Sequence, residues 1–233
     1  MKIGIMQPYF FPYIGYWQLI NTVDKFIIYD NIEFTKKSWI RRNRILLGNT
    51  DRMITLPIKK DSDYLNINER MISQNFKMER IKLLNQIKVA YKKSPQFDII
   101  FPLVEDCIMK ENRNLFDFIY YSVKKIIDFL NIDTELIISS KINMDHSLKG
   151  KERVIEICHQ LGAKEYVNPI GGIEIYDKKE FEENGIELFF LKTNAIEYHQ
   201  FNNNFVPNLS IIDMLMFNDK NRVKDMLLEF KLI

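Results

Sequence analysis

The stretch YDNIEFTKKSWIRRNR, residues 29–44, sets Lys36, Lys37, Arg41, Arg42 and Arg44 within fifteen residues of Asp30, with Trp39 among them. A guanidinium group recognises phosphate well because its planar fork meets two oxygens at once. Alternation along a strand puts Arg42 and Arg44 on one face, with Asn43 between them. The chemistry indicated is the binding of a phosphorylated ligand. For any one of these residues the alternative is a charged, solvated loop.

Four other segments carry residues of this kind. In GIMQPYFFPYIGYW the apolar run stops at Gln7. Pro8 and Pro12 stiffen the loop beyond it, Tyr9, Tyr13 and Tyr16 supply aromatic faces, and Gly15 permits close backbone approach. A helix starting near Gly15-Tyr16 offers free N–H groups to an anion. An aromatic loop that merely packs over the sheet edge is the alternative. In IISSKI, Ser139, Ser140 and Lys141 read either as a phosphate site or as ordinary N-cap chemistry. In YVNPIGGIEIY, Asn168 precedes Gly171-Gly172, which is either a close-approach site or a simple turn. It lacks the spacing of a nucleotide-binding glycine motif. Near the C-terminus Tyr198, His199, Gln200, Asn208, Ser210 and Asp213 gather within sixteen residues.

His199 and Asp30 are the acid–base candidates, His199 because an imidazole titrates near neutrality. His146 falls in an expected loop and His159 on the polar side of a helix. The three histidines lack paired-ligand spacing, so no metal site is expected.

The elements that must position these residues alternate. KIGIM and KFIIYD read as β-branched strands joined by a short helix, hence parallel neighbours. Residues 42–58 read as a hairpin with a longer loop around GNTD. Residues 74–93 read as a helix with Ile81, Leu84, Lys88 and Tyr91 on one face, and 114–130 as a core helix. Then come a strand at 135–138, a helix at 151–163 with Gly162 as its stop, a short strand at EYVN, a helix before Gly185, a strand at 186–192, and two helices that close the chain. The pattern predicts an α/β fold with a largely parallel sheet and flanking helices, Rossmann-like, as one domain over 1–233 with a helical insertion near 70–130.

Composition narrows the function classes. The 233 residues are 46% hydrophobic and 27% charged, with a net charge of +2. That balance argues against a nucleic-acid partner. Residues 1–60 are nonetheless basic, with 10 Lys+Arg against 4 Asp+Glu. The two cysteines, Cys107 and Cys158, sit in apolar helical patterns and read as buried thiols of a reducing compartment. No signal peptide and no apolar run of ~18 residues is evident, so a cytoplasmic protein without a membrane span is expected.

The segments IMQPYFFPYIGYWQLI, DKFIIYDNIEFTKKSWIRRNRI, TLPIKK, LGAKEYVNPIGGIEIYD and YHQFNNNFVPNLSIIDMLMFN together resemble the WbqC-like family over nearly the whole chain. The resemblance implies a place in bacterial surface-polysaccharide assembly, particularly O-antigen. It also implies transfer of an acyl or aminoacyl group, such as glycyl, onto a nucleotide-linked amino sugar. A thioester (coenzyme A or acyl carrier protein) or an aminoacyl donor is then expected, with Gln7, Tyr16 and Arg42 positioning the ligand. A non-catalytic sugar-nucleotide-binding or scaffold role is the alternative. A second, shorter resemblance is one of layout. Tyr13-Ile14-Gly15-Tyr16 is similar in position to the His-x-Gly-His loop of HIGH-motif nucleotidyltransferases, and IISSKI to their Ser-Ser turn. Both histidines are absent, so nucleotide binding is implied more than adenylyl transfer.

Overall fold

The structure is a computed structural model and describes residues 1–201 and 204–233. Its centre is β1 (Lys2–Met6), in which Ile3, Gly4 and Ile5 are buried. Ile3 and Ile5 point to one face of the sheet. Gly4 faces α1 (Ile14–Thr22), where a Cβ would stand 3.2 Å from Leu19 Cδ1. The missing side chain lets the helix lie close to the strand. From α1 the chain enters β2 (Lys25–Ile28), which pairs parallel with β1.

An excursion interrupts the sheet after β2. β3 (Arg42–Leu47) and β4 (Thr50–Thr55) form a separate antiparallel hairpin. Three helices come next: α2 (Phe76–Tyr91), α3 (Phe97–Met109) and α4 (Leu115–Leu130). The chain returns through β5 (Glu135–Ile138), α5 (Gly150–Leu161), β6 (Glu165–Pro169), α6 (Lys178–Glu183) and β7 (Glu187–Thr193). It ends with α7 (Ile211–Phe217), α8 (Lys220–Met226) and β8 (Phe230–Leu232).

The main sheet runs β5-β2-β1-β6-β7-β8 and is parallel except for β8 against β7. Strand order reverses between β1 and β6, which makes their carboxyl ends the crevice where such sheets take ligands. One face packs α1, α2, α3, α4, α7 and α8 around Trp17, Phe26, Ile87, Ile119 and Leu215. The other packs α5 and α6 around Ile3, Ile5, Ile157, Cys158 and Phe181. The predicted α/β fold with a mostly parallel sheet is what the chain adopts.

Several expectations need correction. The hairpin turns on two residues, Gly48 and Asn49, since Leu47 pairs with Thr50. Gly48 takes φ +67°, a backbone conformation that glycine adopts without steric penalty. In α2 Ile81 and Lys88 are exposed, and the buried face is Phe76, Leu83, Leu84, Ile87, Ala90 and Tyr91. The chain does not close on helices: β8 adds an antiparallel edge strand.

Candidate functional site

The loop after β1 is held open by its neighbours. Phe10, Phe11, Pro8 and Pro12 are buried, while Tyr9 and Tyr13 remain partly exposed. Phe11 sits at φ +43°, which a residue with a Cβ adopts only under constraint. The constraint is visible. Asn43 Nδ2 donates to the carbonyls of Phe10 (3.0 Å) and Phe11 (2.7 Å). Ser210 Oγ donates to Phe11 O at 2.8 Å. Trp17 Nε1 and the Ile211 backbone N–H both donate to Pro12 O. Asn43 and Ser210, which the sequence marks as ligand contacts, thus anchor the loop from buried positions. Tyr16 is also buried, and its hydroxyl donates to the Gln7 carbonyl at 3.1 Å. Tyr13 folds back over the first turn of α1, where a Cβ on Gly15 would lie 2.4 Å from its hydroxyl oxygen.

What this loop presents is a cavity of about 300 Å³ lined by Tyr9, Pro12, Tyr13, Trp39, Asn43, Arg44 and Asn208. Arg42 and Arg44 do share one face, as alternation requires. Their guanidinium carbons lie 5.7 and 5.5 Å from the centroid of the Trp39 ring. Arg44 is oriented further by Asp51 (3.3 Å) and by the Asn208 carbonyl (3.2 Å). Arg42 turns back to the Lys37 carbonyl, and Arg41 Nη1 donates to Leu56 O at 3.1 Å. Burial raises the Tyr9 phenol, with Tyr13 adding to the effect, and burial likewise raises Tyr13. Both therefore stay neutral hydrogen-bond donors at ordinary pH.

A second cavity, of about 350 Å³, shares Tyr13 and Asn208 with the first. Ile14, Thr193, Ile196, Glu197, Tyr198, Phe205, Leu209, Ile211 and Met214 complete most of its wall. The strap that forms it is tied to Asp213, a buried carboxylate. Asp213 accepts from Tyr198 Oη (2.7 Å), Gln200 Nε2 (2.6 Å) and Tyr91 Oη (2.8 Å). Burial pushes its carboxyl up to about 6, an effect that these three donors moderate. Gln200 also clamps both sides of Val206, so Gln200, Ser210 and Asp213 build the strap that Tyr198 lines.

The remaining candidates gather elsewhere. Asp30, at the end of β2, accepts four hydrogen bonds, from Ser139 Oγ (3.1 Å), Ser140 N (2.9 Å), Ser140 Oγ (2.7 Å) and Asn68 Nδ2 (2.8 Å). Ser139 Oγ is also bonded to Asn31 Oδ1. Lys141 is exposed beside them. Asn168 accepts from Tyr166 Oη at 3.0 Å, and a Cβ on Gly172 would stand 1.6 Å from Asn168 Nδ2. The close approach that Gly172 permits is therefore to Asn168, while Gly171 faces open space. His199 is exposed and lines neither cavity. His159 Nε2 lies 3.0 Å from Asn184 O, and His146 Nδ1 lies 3.1 Å from Asn31 Nδ2.

Sequence reasoning passed over Glu197 and Asn68, and it named Asn208 without assigning it a role. Glu197 and Asn208 lie in an irregular strap with no periodicity, and Asn68 in a 3-10 turn at Ile67–Glu69. Both cysteines are buried, and burial pushes each thiol up to about 12. Among the described residues no helix is long and apolar enough to cross a membrane, and no three His, Cys, Asp or Glu side chains cluster as metal ligands.

The profile of the WbqC-like protein family matches residues 7–225. A curated relative, the uncharacterized protein Rv1507c of Mycobacterium tuberculosis, is 30% identical over 220 residues, covering 92% of each chain. No solved structure gives a significant match.

Proposed function

The chain belongs to the WbqC-like protein family, and we propose on that footing that it is an acyl or aminoacyl transferase acting on a nucleotide-activated amino sugar in bacterial surface-polysaccharide (O-antigen) assembly. The observation that carries this reading is the cavity beyond β1, where Trp39 beside Arg42 and Arg44 faces Tyr9 and Tyr13. Aromatic faces suit a base or sugar ring, and Arg44 suits a diphosphate.

The reaction asks little covalent help of the protein. The sugar amine attacks the donor carbonyl, a C–N bond forms, the thiolate or ester oxygen leaves, and the amine loses a proton. Orientation and hydrogen-bond donors at the developing oxyanion supply the acceleration. Tyr13, whose hydroxyl is neutral and borders both cavities, fits the donor role. Glu197, which faces the second cavity, and His199, two residues further along the strap, are the proton acceptors in this reading. Asp30 holds its loops in place, because four donors already occupy its carboxylate. The donor is a thioester of coenzyme A or an acyl carrier protein, or an aminoacyl ester. The site is read as cytoplasmic.

The test is purified protein incubated with thioester and aminoacyl donors over a panel of UDP- and dTDP-amino sugars, with products read by mass spectrometry. An amide product is expected, and Arg44→Ala should lower kcat/KM by about tenfold or more, roughly the 1.4 kcal/mol of one lost charged contact. Absence of product with every donor rejects the transferase. Tight sugar-nucleotide binding without turnover supports a binding or scaffold protein instead.

A further inference from the structure

The two cavities differ in charge in a way that the transferase reading does not by itself require. Among the lining residues of the first, Arg44 is the charged side chain. In the wall of the second it is Glu197. The compartments are neighbours, with Tyr13 and Asn208 lining both. A ligand lying across both would therefore have a cation at one end of its site and an anion at the other.

Glu197 also stands apart from the other carboxylates near the strand ends. Asp30 accepts four hydrogen bonds, Asp213 three, and Asp51 pairs with Arg44. Glu197 is exposed and has no hydrogen bond or ion pair to a described residue. The rest of its compartment is largely apolar, with Ile14, Ile196, Phe205, Leu209, Ile211 and Met214. A carboxylate here favours a cation over a neutral amide by charge. The position is also fixed. Tyr198, the next residue, is held to buried Asp213 at 2.7 Å, and Thr193 ends β7 a few residues before it.

From this we propose that Glu197 is the ammonium-recognition residue of the site, and that the paired compartments select a ligand carrying phosphate at one end and a primary amine at the other. The inference rests on the proposed function and deepens it. The amine belongs either to the amino sugar or to the α-amino group of an aminoacyl donor, and both present the same charge to Glu197. An N-acetylated sugar or an acetyl thioester lacks that charge and would leave the carboxylate without a partner.

The experiment is calorimetric titration of the wild-type chain, Glu197→Gln and Arg44→Met. The probes are two matched pairs: UDP-glucosamine with UDP-N-acetylglucosamine, and glycyl-coenzyme A with acetyl-coenzyme A. Glu197 is exposed, so its substitution leaves folding intact. The wild type is expected to prefer the amine-bearing member of at least one pair by about tenfold, and the pair that shows the preference identifies the source of the amine. Glu197→Gln should bind both members alike, and Arg44→Met should weaken both members equally. A wild type that binds without preference, or a preference that survives Glu197→Gln, overturns the ammonium site. If Arg44→Met still weakens binding in that case, the phosphate cleft on which the proposed function rests stands. If the wild type binds none of the four probes, both readings fall.

Discussion

Two polar clusters stand at the carboxyl ends of the same sheet, and they differ in what is left unpaired. Around Asp30, the serines, Asn31 and Asn68 direct their hydrogen-bonding groups at one another. Around Tyr13, the buried amide of Asn43 and the hydroxyl of Ser210 are spent on loop carbonyls, and Tyr9, Tyr13, Trp39 and Arg44, the last steadied by Asp51 and the Asn208 carbonyl, line a cavity. Both clusters look alike as sequence: polar residues just past a β-branched run. What separates a binding surface from a structural knot is whether the hydrogen-bond capacity has been satisfied within the chain.

The contrast is sharpest under substitution. Asp30→Ala leaves the Ser140 N–H and hydroxyl and the Asn68 amide without their acceptor, while Ser139 Oγ keeps Asn31, and it should destabilise the fold by about 3 kcal/mol. Urea denaturation reads this, and an unchanged midpoint would return Asp30 to the role of a free base. On the strap side, Asp213 gives a pH signature. Its folded carboxyl keeps a proton to about pH 6, against a reference of 3.8. Its contribution is therefore full below the reference value and lost as pH rises through about 6, by at most about 3 kcal/mol. Asp213→Asn should remove that decline, so the wild-type-minus-variant stability difference should slope between pH 4 and 6 and level off above it. A flat difference would mean that Asp213 titrates normally.

Smaller effects are expected within the cleft. Asn43→Ala frees the Phe10 and Phe11 carbonyls and should cost about 2 kcal/mol, lowering Tm by several degrees in a chain of this size. Gly15→Ala pushes against the Tyr13 ring, whose movable end is the atom in the way. It should reduce ligand affinity about tenfold, or 1.4 kcal/mol, while leaving Tm nearly unchanged. A large loss of Tm instead would show that Tyr13 is part of the core. His199→Ala should alter stability by less than about 0.5 kcal/mol, because the side chain is exposed. Any loss of turnover in that variant then belongs to chemistry.

Much of the fold was legible because period and punctuation agree. The β-branched runs KIGIM and KFII, the αL stop at Gly162 (φ +65°) and the turn at Gly185 (φ +73°) all carry local signals. α3 was legible only as the apolar helical pattern around Cys107 within the expected insertion, with Pro102 blurring its signature, and β8 hid because it is three residues long with charged Lys231 at its centre. At the site, residue types such as Arg44 and Tyr13 announced themselves. Glu197 did not, because the strap has no period and takes its shape from distant partners, Asp213 and Arg44. Nor does sequence distinguish a serine that faces a ligand from one bonded to Asp30. That depends on where residue 30 lies relative to residues 139 and 140, which only the β2–β5 pairing fixes.

The most direct measurement is a crystal structure of the protein soaked with UDP-glucosamine. A phosphate cleft beyond β1 predicts density for the diphosphate beside Arg44, with a ring against Tyr9 or Trp39. Density beside Asp30, Ser139 and Ser140, with the Tyr9–Trp39–Arg44 cavity empty, would contradict it.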